Sequence, residues 1–221
     1  MQKPWVQIAI DTLNVEKANE YTQIALQAGA DWIEAGTPLI YFEGIKVIGK
    51  MVEFSKDVPV VADFKAQDGV YKYFADAAKQ GAKVATVLAQ MNDGSIQEAV
   101  RAGKEHGIQV IADLFSVKPE DLAQRAKEVE ALGVDYLLKH LGMDETKYYP
   151  DRKCADGVKE IVDAVSIPVG VSTFGIEDAL EALQAGASFI VQGEPILSSE
   201  NALEKLTAFI TTVKATANEN K

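Results

Sequence analysis

The segment HGIQVIADLF, residues 106–115, contains the pattern that decides the fold. Gly107 follows a helical pattern, and glycine commonly stands just past the end of a helix. The run that follows is apolar almost throughout, which is typical of a parallel strand buried on both faces. Asp113 places a carboxylate near the end of that run. The segment therefore indicates the end of a helix, a buried strand and a polar strand end, in that order.

The same pattern recurs along the chain. Similar glycines follow one another at intervals of about 26 residues or about twice that, which indicates a repeated supersecondary unit. Each of them precedes a short apolar run. These glycines are Gly29, Gly81, Gly107, Gly133 and Gly186. Three further apolar runs complete the series. The predicted strands are 6–11, 31–36, 58–64, 83–89, 108–115, 134–140, 167–173 and 188–193.

Amphipathic segments separate these strands and predict helices. One begins at Asn14, a suitable N-cap, and another begins with Pro119 and acidic residues in its first turn. Eight strands, each followed by a helix, predict a single (β/α)8 TIM barrel over residues 1–215, with a flexible tail at 216–221. A doubly wound open sheet is the alternative. That fold often has a glycine-rich turn after its first strand, and here residues 11–14 contain no glycine.

The composition limits the classes of partner. The 221 residues are 48% hydrophobic and 25% charged, as in ordinary globular proteins. The net charge of −11 argues against nucleic acid and anionic membranes, because both are bound by clustered Lys and Arg. No apolar run approaches the ~20 residues that span a bilayer, and no signal peptide is recognisable, so we predict a cytoplasmic protein. Cys154 is the only cysteine, which excludes an internal disulfide.

Polar residues stand at the end of every predicted strand. In a barrel of this kind the chemistry lies at the carboxyl ends of the strands. Helix capping or a turn explains any single aspartate there, but not the whole set. The residues are Asp11, Glu34, Asp63, Lys65, Gln90, Asp113, His140, Ser172, Thr173, Gln192 and Glu194. We therefore expect a site at this rim, with a structural network of ion pairs as the alternative.

The segment VVADFKAQDG, residues 60–69, is the most informative of these strand ends. Asp63 and Lys65 are two positions apart and share one face of the strand. A lysine among carboxylates stays protonated, and such a fixed cation stabilises a developing enolate. Glu34 and Asp63 together form an oxygen site suited to Mg²⁺. His140 ends strand 6, where a histidine is well placed to transfer protons.

These residues resemble a known family. Asp-x-Lys-x-x-Asp, residues 63–68, resembles the signature of the orotidine 5′-phosphate decarboxylase suprafamily. IEAGTPLI at 33–40, ATVLA at 85–89 and HLGMD at 140–144 are similar to segments of 3-hexulose-6-phosphate synthases and 3-keto-L-gulonate-6-phosphate decarboxylases. The synthases tend to have His-x-Gly-x-Asp after strand 6, as here. The decarboxylases tend to have arginine three residues after the histidine, where this chain has Met143.

The resemblance implies an aldehyde-lyase of carbohydrate metabolism that joins formaldehyde to ribulose 5-phosphate through a Mg²⁺-bound enediolate. Glu34 and Asp63 would be metal ligands, and Lys65 would stabilise the enediolate. His140 would move the proton at C1, and Asp11 would contact substrate hydroxyls.

The resemblance also implies a homodimer with active sites at the interface, in which Asp68 reaches the partner's site. Two other functions remain open. The same groups serve decarboxylation of a 3-keto sugar acid phosphate, and a non-catalytic barrel dimer that binds a small metabolite is the third possibility.

The expected phosphate site departs from the family pattern. The family usually has a Gly-Gly pair after strand 7 and a Gly-Arg pair after strand 8. Here Ser172-Thr173 and Gly193-Glu194 occupy those positions. We expect these four residues, with Asp113, to contact the substrate. A glutamate in place of arginine repels phosphate and removes a bidentate donor.

Three interpretations of this departure follow. Backbone N–H groups of Gly175 or Gly193, with Arg152 or Lys153 from the loop after strand 6, hold a phosphate. Alternatively, the substrate has no phosphate or carries a cation that Glu194 pairs with. In the third interpretation the chain has kept the fold and lost the activity. Of these interpretations we favour an enzyme with an altered substrate.

Overall fold

Eight parallel strands form a closed barrel in the computed structural model, which describes residues 4–216. They are β1 (Trp5–Ile10), β2 (Trp32–Ala35), β3 (Val60–Ala66), β4 (Val84–Leu88), β5 (Gln109–Asp113), β6 (Tyr136–Lys139), β7 (Val169–Thr173) and β8 (Phe189–Gln192). Each strand pairs with the next, and β8 pairs with β1. The predicted (β/α)8 barrel is confirmed and the open-sheet alternative is wrong. The predicted tail, apart from Thr216, lies outside the described residues.

Helices surround the barrel. They are α1 (Val15–Ala28), α2 (Thr37–Glu43), α3 (Val47–Ser55), α4 (Val70–Lys79), α5 (Asp93–His106), α6 (Leu122–Leu132), α7 (Met143–Tyr148), α8 (Val158–Ala164), α9 (Ile176–Gln184) and α10 (Ala202–Ala215). A short 3₁₀ turn, Pro119–Asp121, precedes α6. Across residues 4–216, the helices fall short of the length and apolarity that crossing a membrane requires.

The prediction of one helix after each strand is wrong at two places. Two helices follow β2, because Gly44, with φ +76°, ends α2 and lets α3 start in a new direction. Two helices also follow β6, where one was expected. Pro150 disfavours helical backbone at the residue before it, so α7 ends ahead of it and α8 begins after Gly157.

The predicted helix boundaries agree with the structure where the sequence has capping residues. The side chain of Asn14 accepts a hydrogen bond of 2.9 Å from the backbone N–H of Lys17, as an N-cap does. Gly107 ends α5 with φ +69°, a left-handed conformation that favours glycine. The recurring glycines thus mark the points where the chain leaves a helix for the next strand.

The barrel interior is filled in layers. Four aromatic side chains, each the first residue of its strand, form the floor: Trp5, Trp32, Tyr136 and Phe189. Trp5 stacks on Phe189 with ring centroids 4.9 Å apart, and Trp32 meets Tyr136 edge to face at 5.3 Å. Aliphatic side chains lie above the floor, among them Val61, Ile111 and Leu138. The remaining space, at the carboxyl ends of the strands, is left for polar groups.

Gly170 on β7 is required by this floor. A Cβ atom at this position would overlap the ring of Phe189, which is fully buried. Because the barrel interior is closely packed, the ring has no free space to move into. The absence of a side chain at Gly170 is therefore what admits Phe189.

We expect Gly170→Ala to lower the free energy of unfolding by about 1–3 kcal/mol, the usual cost of overpacking a core. Urea denaturation measures this difference. Gly175→Ala is the matched control, because its backbone is extended and its Cβ would meet nothing within 4 Å. Adding Phe189→Leu to Gly170→Ala should recover part of the loss. Equal stability of the two single alanine variants would show that the ring does not need this space.

Candidate active site

Asp63 is the centre of the polar cluster at the mouth of the barrel. It is 2% exposed, in the middle of β3. One carboxylate oxygen accepts hydrogen bonds from Thr37 Oγ1, at 2.5 Å, and from Lys65 Nζ. The other accepts a bond of 2.8 Å from Thr86 Oγ1. Burial alone would raise the pKa of Asp63, but the charge of Lys65 and these bonds lower the pKa to about 2. Asp63 is therefore an anion throughout the physiological range.

Lys65 reaches Asp63 from a strained backbone. Its φ is +44°, and the pairing of β3 with β4 is irregular between Ala62 and Ala66. Such a bulge re-aims side chains next to active sites, and a non-glycine residue in this region costs about 1–3 kcal/mol. The backbone N–H of Lys65 is held by Thr86 Oγ1 at 2.9 Å. The prediction that Asp63 and Lys65 meet is confirmed, although a bulge and not simple alternation brings them together.

The ammonium group of Lys65 remains charged. Burial would lower its pKa, but the negative charges of Asp63, Asp113 and Glu34 outweigh that effect and raise the pKa. Lys65 Nζ also lies 2.9 Å from Thr37 Oγ1. The amine is thus a fixed cation and not a free nucleophile.

Glu34 and Asp11 add two more carboxyl groups to the cluster. Glu34 is 6% exposed, and burial, followed by the charges of Asp63 and Asp11, raises its pKa well above the ordinary value. Asp11 lies exposed at the rim, where desolvation by the surrounding protein, followed by the charge of Asp63, raises its pKa as well. A Cβ at Gly36 would overlap the Asp11 carboxyl, so this glycine makes room for it. Three carboxyl groups therefore surround one lysine.

The donor atoms at this cluster fit an oxygen-preferring divalent cation. Within residues 4–216 no group of three His, Cys, Asp or Glu side chains is arranged to hold a metal by itself. Glu34 and Asp63 nevertheless supply two carboxylates. Gln7 donates to Glu34, and Gln7 Oε1 is buried without a hydrogen-bond partner in the described part of the chain. Mg²⁺ typically takes one or two protein carboxylates and completes its shell with water and substrate.

His140 faces the same mouth and is oriented by Asp113. His140 Nδ1 lies 3.0 Å from Asp113 Oδ2, and Asp113 Oδ1 accepts a bond of 2.9 Å from the backbone N–H of Phe115. Because a carboxylate oxygen accepts hydrogen bonds, this contact favours the tautomer with its proton on Nδ1 and directs Nε2 away from Asp113. Asp113 was predicted to contact the substrate, but it is fully buried behind His140. Its contacts support a role in orienting the histidine.

The ends of β7 and β8 differ from the rest of the rim. Ser172 is half-buried, whereas the adjacent Thr173 is buried, 3.1 Å from Gln192 Oε1. Adjacent strand residues point to opposite faces, and Thr173 has no contact with the Asp63 cluster. Gly193 packs closely on β1, because a Cβ there would lie 2.6 Å from the carbonyl oxygen of Ala9. Of the predicted pair, Ser172 is therefore the better candidate for substrate contact.

Glu194 lies close to the mouth. Its carboxylate accepts hydrogen bonds from the backbone N–H of Ser198, at 3.1 Å, and from Ser198 Oγ, at 2.5 Å. Its negative charge contributes to the raised pKa of Asp11. Glu194 therefore adds negative charge at the position where a phosphate was expected.

The cations considered for phosphate binding are engaged elsewhere. Arg152 forms an ion pair with Glu145, and Lys153 lies 3.0 Å from Glu181. The sequence between Lys159 and Lys205 contains neither lysine nor arginine. The β7–β8 side of the rim accordingly has no nearby cation from its own loops.

Asp68 lies outside the cluster of its own chain. It is exposed, just before α4, and borders a surface groove of about 750 Å³ that also touches Lys65 and Tyr73. Tyr41, which lines this groove, and Phe42, the next residue of the chain, are 72% and 69% exposed. The groove thus leads from Lys65 to an exposed aromatic surface.

Three residues of the cluster were not identified from the sequence: Gln7, Thr37 and Thr86. Each holds a charged group, and each has little to mark it in the sequence. Thr86 is the one polar residue in the apolar strand VATVL, which is the only available signal. A polar side chain inside a strand that is otherwise apolar needs a buried partner, and here that partner is Asp63.

Known proteins resemble this chain over most of its length. A 3-hexulose-6-phosphate synthase of Staphylococcus aureus is 37% identical over 139 residues, which is 63% of this chain and 65% of that protein. The aligned segment thus spans less than two thirds of that relative. A crystal structure of a 3-hexulose-6-phosphate synthase is 32% identical, with a TM-score of 0.84, and the match covers 93% of this chain and 99% of that one.

Two further structures show the same barrel. The 3-hexulose-6-phosphate synthase from Salmonella typhimurium is 26% identical, with a TM-score of 0.88, over 96% of this chain and 99% of that one. The 3-keto-L-gulonate-6-phosphate decarboxylase from Vibrio cholerae is 20% identical, with a TM-score of 0.79, over 96% and 98% of the two chains. The second likeness shows the fold alone.

The family match covers the whole barrel. Residues 4–209 match the sequence model of the Orotidine 5'-phosphate decarboxylase / HUMPS family. The match includes every strand and all the residues of the polar cluster. The chain therefore belongs to the orotidine 5′-phosphate decarboxylase / HUMPS family.

Proposed function

We propose that the chain is a Mg²⁺-dependent aldol lyase/synthase that joins formaldehyde to a ketose of the ribulose 5-phosphate type. The observation that carries the proposal is the fixed Lys65–Asp63 pair, which lies beside Glu34 in the same mouth as His140. The names of the relatives, 3-hexulose-6-phosphate synthases, support this reaction class.

Lys65 stabilises the enediolate of the ketose. Its ammonium group is held in place by Asp63 and Thr37 before the substrate arrives, so little reorganisation is needed as charge develops. Glu34 and Asp63 would hold Mg²⁺, with Gln7 Oε1 close by. When bound, the metal supplies Lewis-acid stabilisation of the same negative charge.

His140 moves the proton at C1 of the ketose. Asp113 fixes the Nδ1–H tautomer, and Nε2 is then the atom that exchanges the proton with the substrate. The edge-to-face contact with Phe115, at 5.2 Å between ring centroids, limits rotation of the imidazole. Asp11, at the rim, is placed to contact substrate hydroxyls.

The end of the substrate that lies far from C1 differs from the phosphate end of ribulose 5-phosphate. Ser172 and Glu194 occupy the rim where the family binds phosphate, and the adjoining loops contribute no cation. We infer an altered ketose whose far end is less negative than a phosphate. Comparison of ribulose with ribulose 5-phosphate tests this point directly.

Formaldehyde consumption tests the reaction itself. With Mg²⁺ and either ketose, we expect turnover that Lys65→Ala lowers about 10²–10³-fold, the usual effect of removing one electrostatic donor. Lys79→Ala, an exposed lysine on α4, is the control and should leave turnover unchanged. Equal consumption by the wild type and Lys65→Ala would exclude this assignment. Release of CO₂ from 3-keto-L-gulonate 6-phosphate would instead identify a decarboxylase.

The pKa of Glu34 gives a prediction for stability. Because this pKa is raised above the unfolded value of 4.5, the favourable contribution is complete below pH 4.5 and is lost as the pH rises through the folded-state pKa. Glutamine does not ionise, so the Glu34→Gln variant does not lose stability in this way as the pH rises. At neutral pH we expect the variant to be more stable than the wild type by about 0.5–2 kcal/mol in urea denaturation.

The same variant tests the metal site. A bound cation favours the ionised carboxylate, so Mg²⁺ should raise the melting temperature of the wild type and not that of Glu34→Gln. Glu53→Gln, at an exposed position on α3, should respond like the wild type. An equal response of all three proteins to Mg²⁺ would place the metal elsewhere.

We also propose a homodimer in which Asp68 completes the partner's site. The exposed aromatic side chains beside the groove, with Tyr73 at 44% exposure, offer an apolar surface for a second copy. Asp68 borders that groove, as Lys65 does.

Mixing two inactive variants tests whether Asp68 acts in the partner's site or within its own chain. Asp68→Ala and His140→Ala should each be inactive alone. If Asp68 acts in the partner's site, one site of the mixed dimer is intact, and random reassociation of equal amounts restores roughly one quarter of the active sites. If Asp68 acts within its own chain, the mixture stays inactive. The activity of the refolded mixture is the measurement.

A further inference from the structure

A second cavity of about 500 Å³ lies beside His140, between the end of β6 and helices α6 and α8. His140 and Lys139 both border it, although adjacent strand residues point in opposite directions. The cavity lies at the end of β6, where both side chains reach it. It therefore brings His140 of the proposed active site and Lys139, a residue that the mechanism does not use, to the same space.

Lys139 is buried and its amine lacks a direct partner among the described residues. It is 7% exposed, and no ion pair or hydrogen bond holds its amine in residues 4–216. The nearby Arg152 and Glu145 pair with each other. The Lys139 side chain borders the cavity, and its burial favours the neutral form of the amine.

The charges around Lys139 are mixed. Burial lowers its pKa and Arg152 lowers it further, while Cys154, Glu145 and Asp156 act in the opposite direction. Cys154 is itself buried, which raises the pKa of its thiol to about 12 and keeps it neutral. The net effect is a lowered pKa for Lys139, and desolvation in an apolar pocket is one way in which a lysine amine is activated as a nucleophile.

The lining of the cavity favours a neutral ligand over an anion. Four carboxyl groups border it: Glu120, Glu145, Asp156 and Glu160. The cations of the lining are Lys139, Arg152 and Lys153, and the last two are paired with Glu145 and Glu181. The carboxyl groups of Glu120, Asp156 and Glu160 therefore disfavour phosphate or carboxylate, whereas an uncharged carbonyl compound meets no such penalty. We propose that Lys139 is a carbonyl-reactive amine that reversibly binds a small aldehyde in this cavity, next to His140. That the aldehyde is formaldehyde rests on the proposed function.

The chemistry balances without a further reactant. The lone pair of Lys139 Nζ forms a bond to the carbonyl carbon while the C=O π bond breaks, and a proton moves from nitrogen to oxygen. The product is a carbinolamine. Loss of water gives the imine, and addition of water returns the aldehyde and the amine. Lys139 would thus retain the aldehyde close to the site of condensation.

Reductive trapping tests the proposal without any ketose. The full chain is exposed briefly to limiting formaldehyde with sodium cyanoborohydride at neutral pH, whose hydride reduces the imine to a methylamine, and peptide mass spectrometry locates the label. We expect Lys139 to be methylated several-fold faster than Lys118 and Lys127, which are exposed. A merely structural buried lysine would react more slowly than both. Methylation of Lys139 no faster than Lys118 overturns the inference.

Two variants distinguish a role of the Lys139 amine from a role of its positive charge. In Lys139→Met and Lys139→Arg we expect the KM for formaldehyde to rise several-fold, with kcat and the KM for the ketose unchanged. Thermal unfolding checks that both variants fold. Full recovery in Lys139→Arg would show that only a positive charge is needed and would overturn the inference. If Lys139 is trapped but no condensation with a ketose occurs, the proposed function fails and this inference stands. If condensation occurs but Lys139 is not trapped, only this inference fails.

Discussion

The pairing of β1 with β8 is the constraint on which the rest of the structure depends. It joins the two ends of the chain, with Trp5 opposite Phe189 and Ile8 opposite Gln192, and closes the sheet without an edge. Closure fixes all eight carboxyl ends on one rim. Residues that are far apart in sequence then interact, and the charge of Glu194 contributes to the raised pKa of Asp11. An open sheet of the same parallel strands would set these groups in a row, with the ends of β1 and β8 furthest apart.

The closed rim concentrates more negative charge than the fold itself can balance. Asp63 is stabilised as an anion by Lys65 and two threonines, but Glu34 and Asp11 have no comparable partner and their pKa values rise. Lys65 in addition adopts a strained backbone. Sites that carry out chemistry commonly retain such unfavourable features, because the groups that stabilise a reacting species are uncompensated until it binds.

Much of the fold could be predicted because its signals are local. Recurrent glycines, caps and apolar runs located all eight strands, and the rule for strand ends in barrels located the rim. The details of the site could not be predicted in the same way. The bulge at Lys65, the position of Asp113 behind His140 and the outward direction of Thr173 depend on register and on contacts between distant strands. The extra helices after β2 and β6 depend on short irregular segments.

The aromatic floor has a spectroscopic consequence. The only two tryptophans of the chain, Trp5 and Trp32, are both in that floor, at the opposite end of the strands from the polar cluster. Their rings are shielded from solvent and lie 5.5 Å apart. Tryptophan fluorescence is consequently a probe of whether the barrel is closed, and it is insensitive to ligands that enter the mouth.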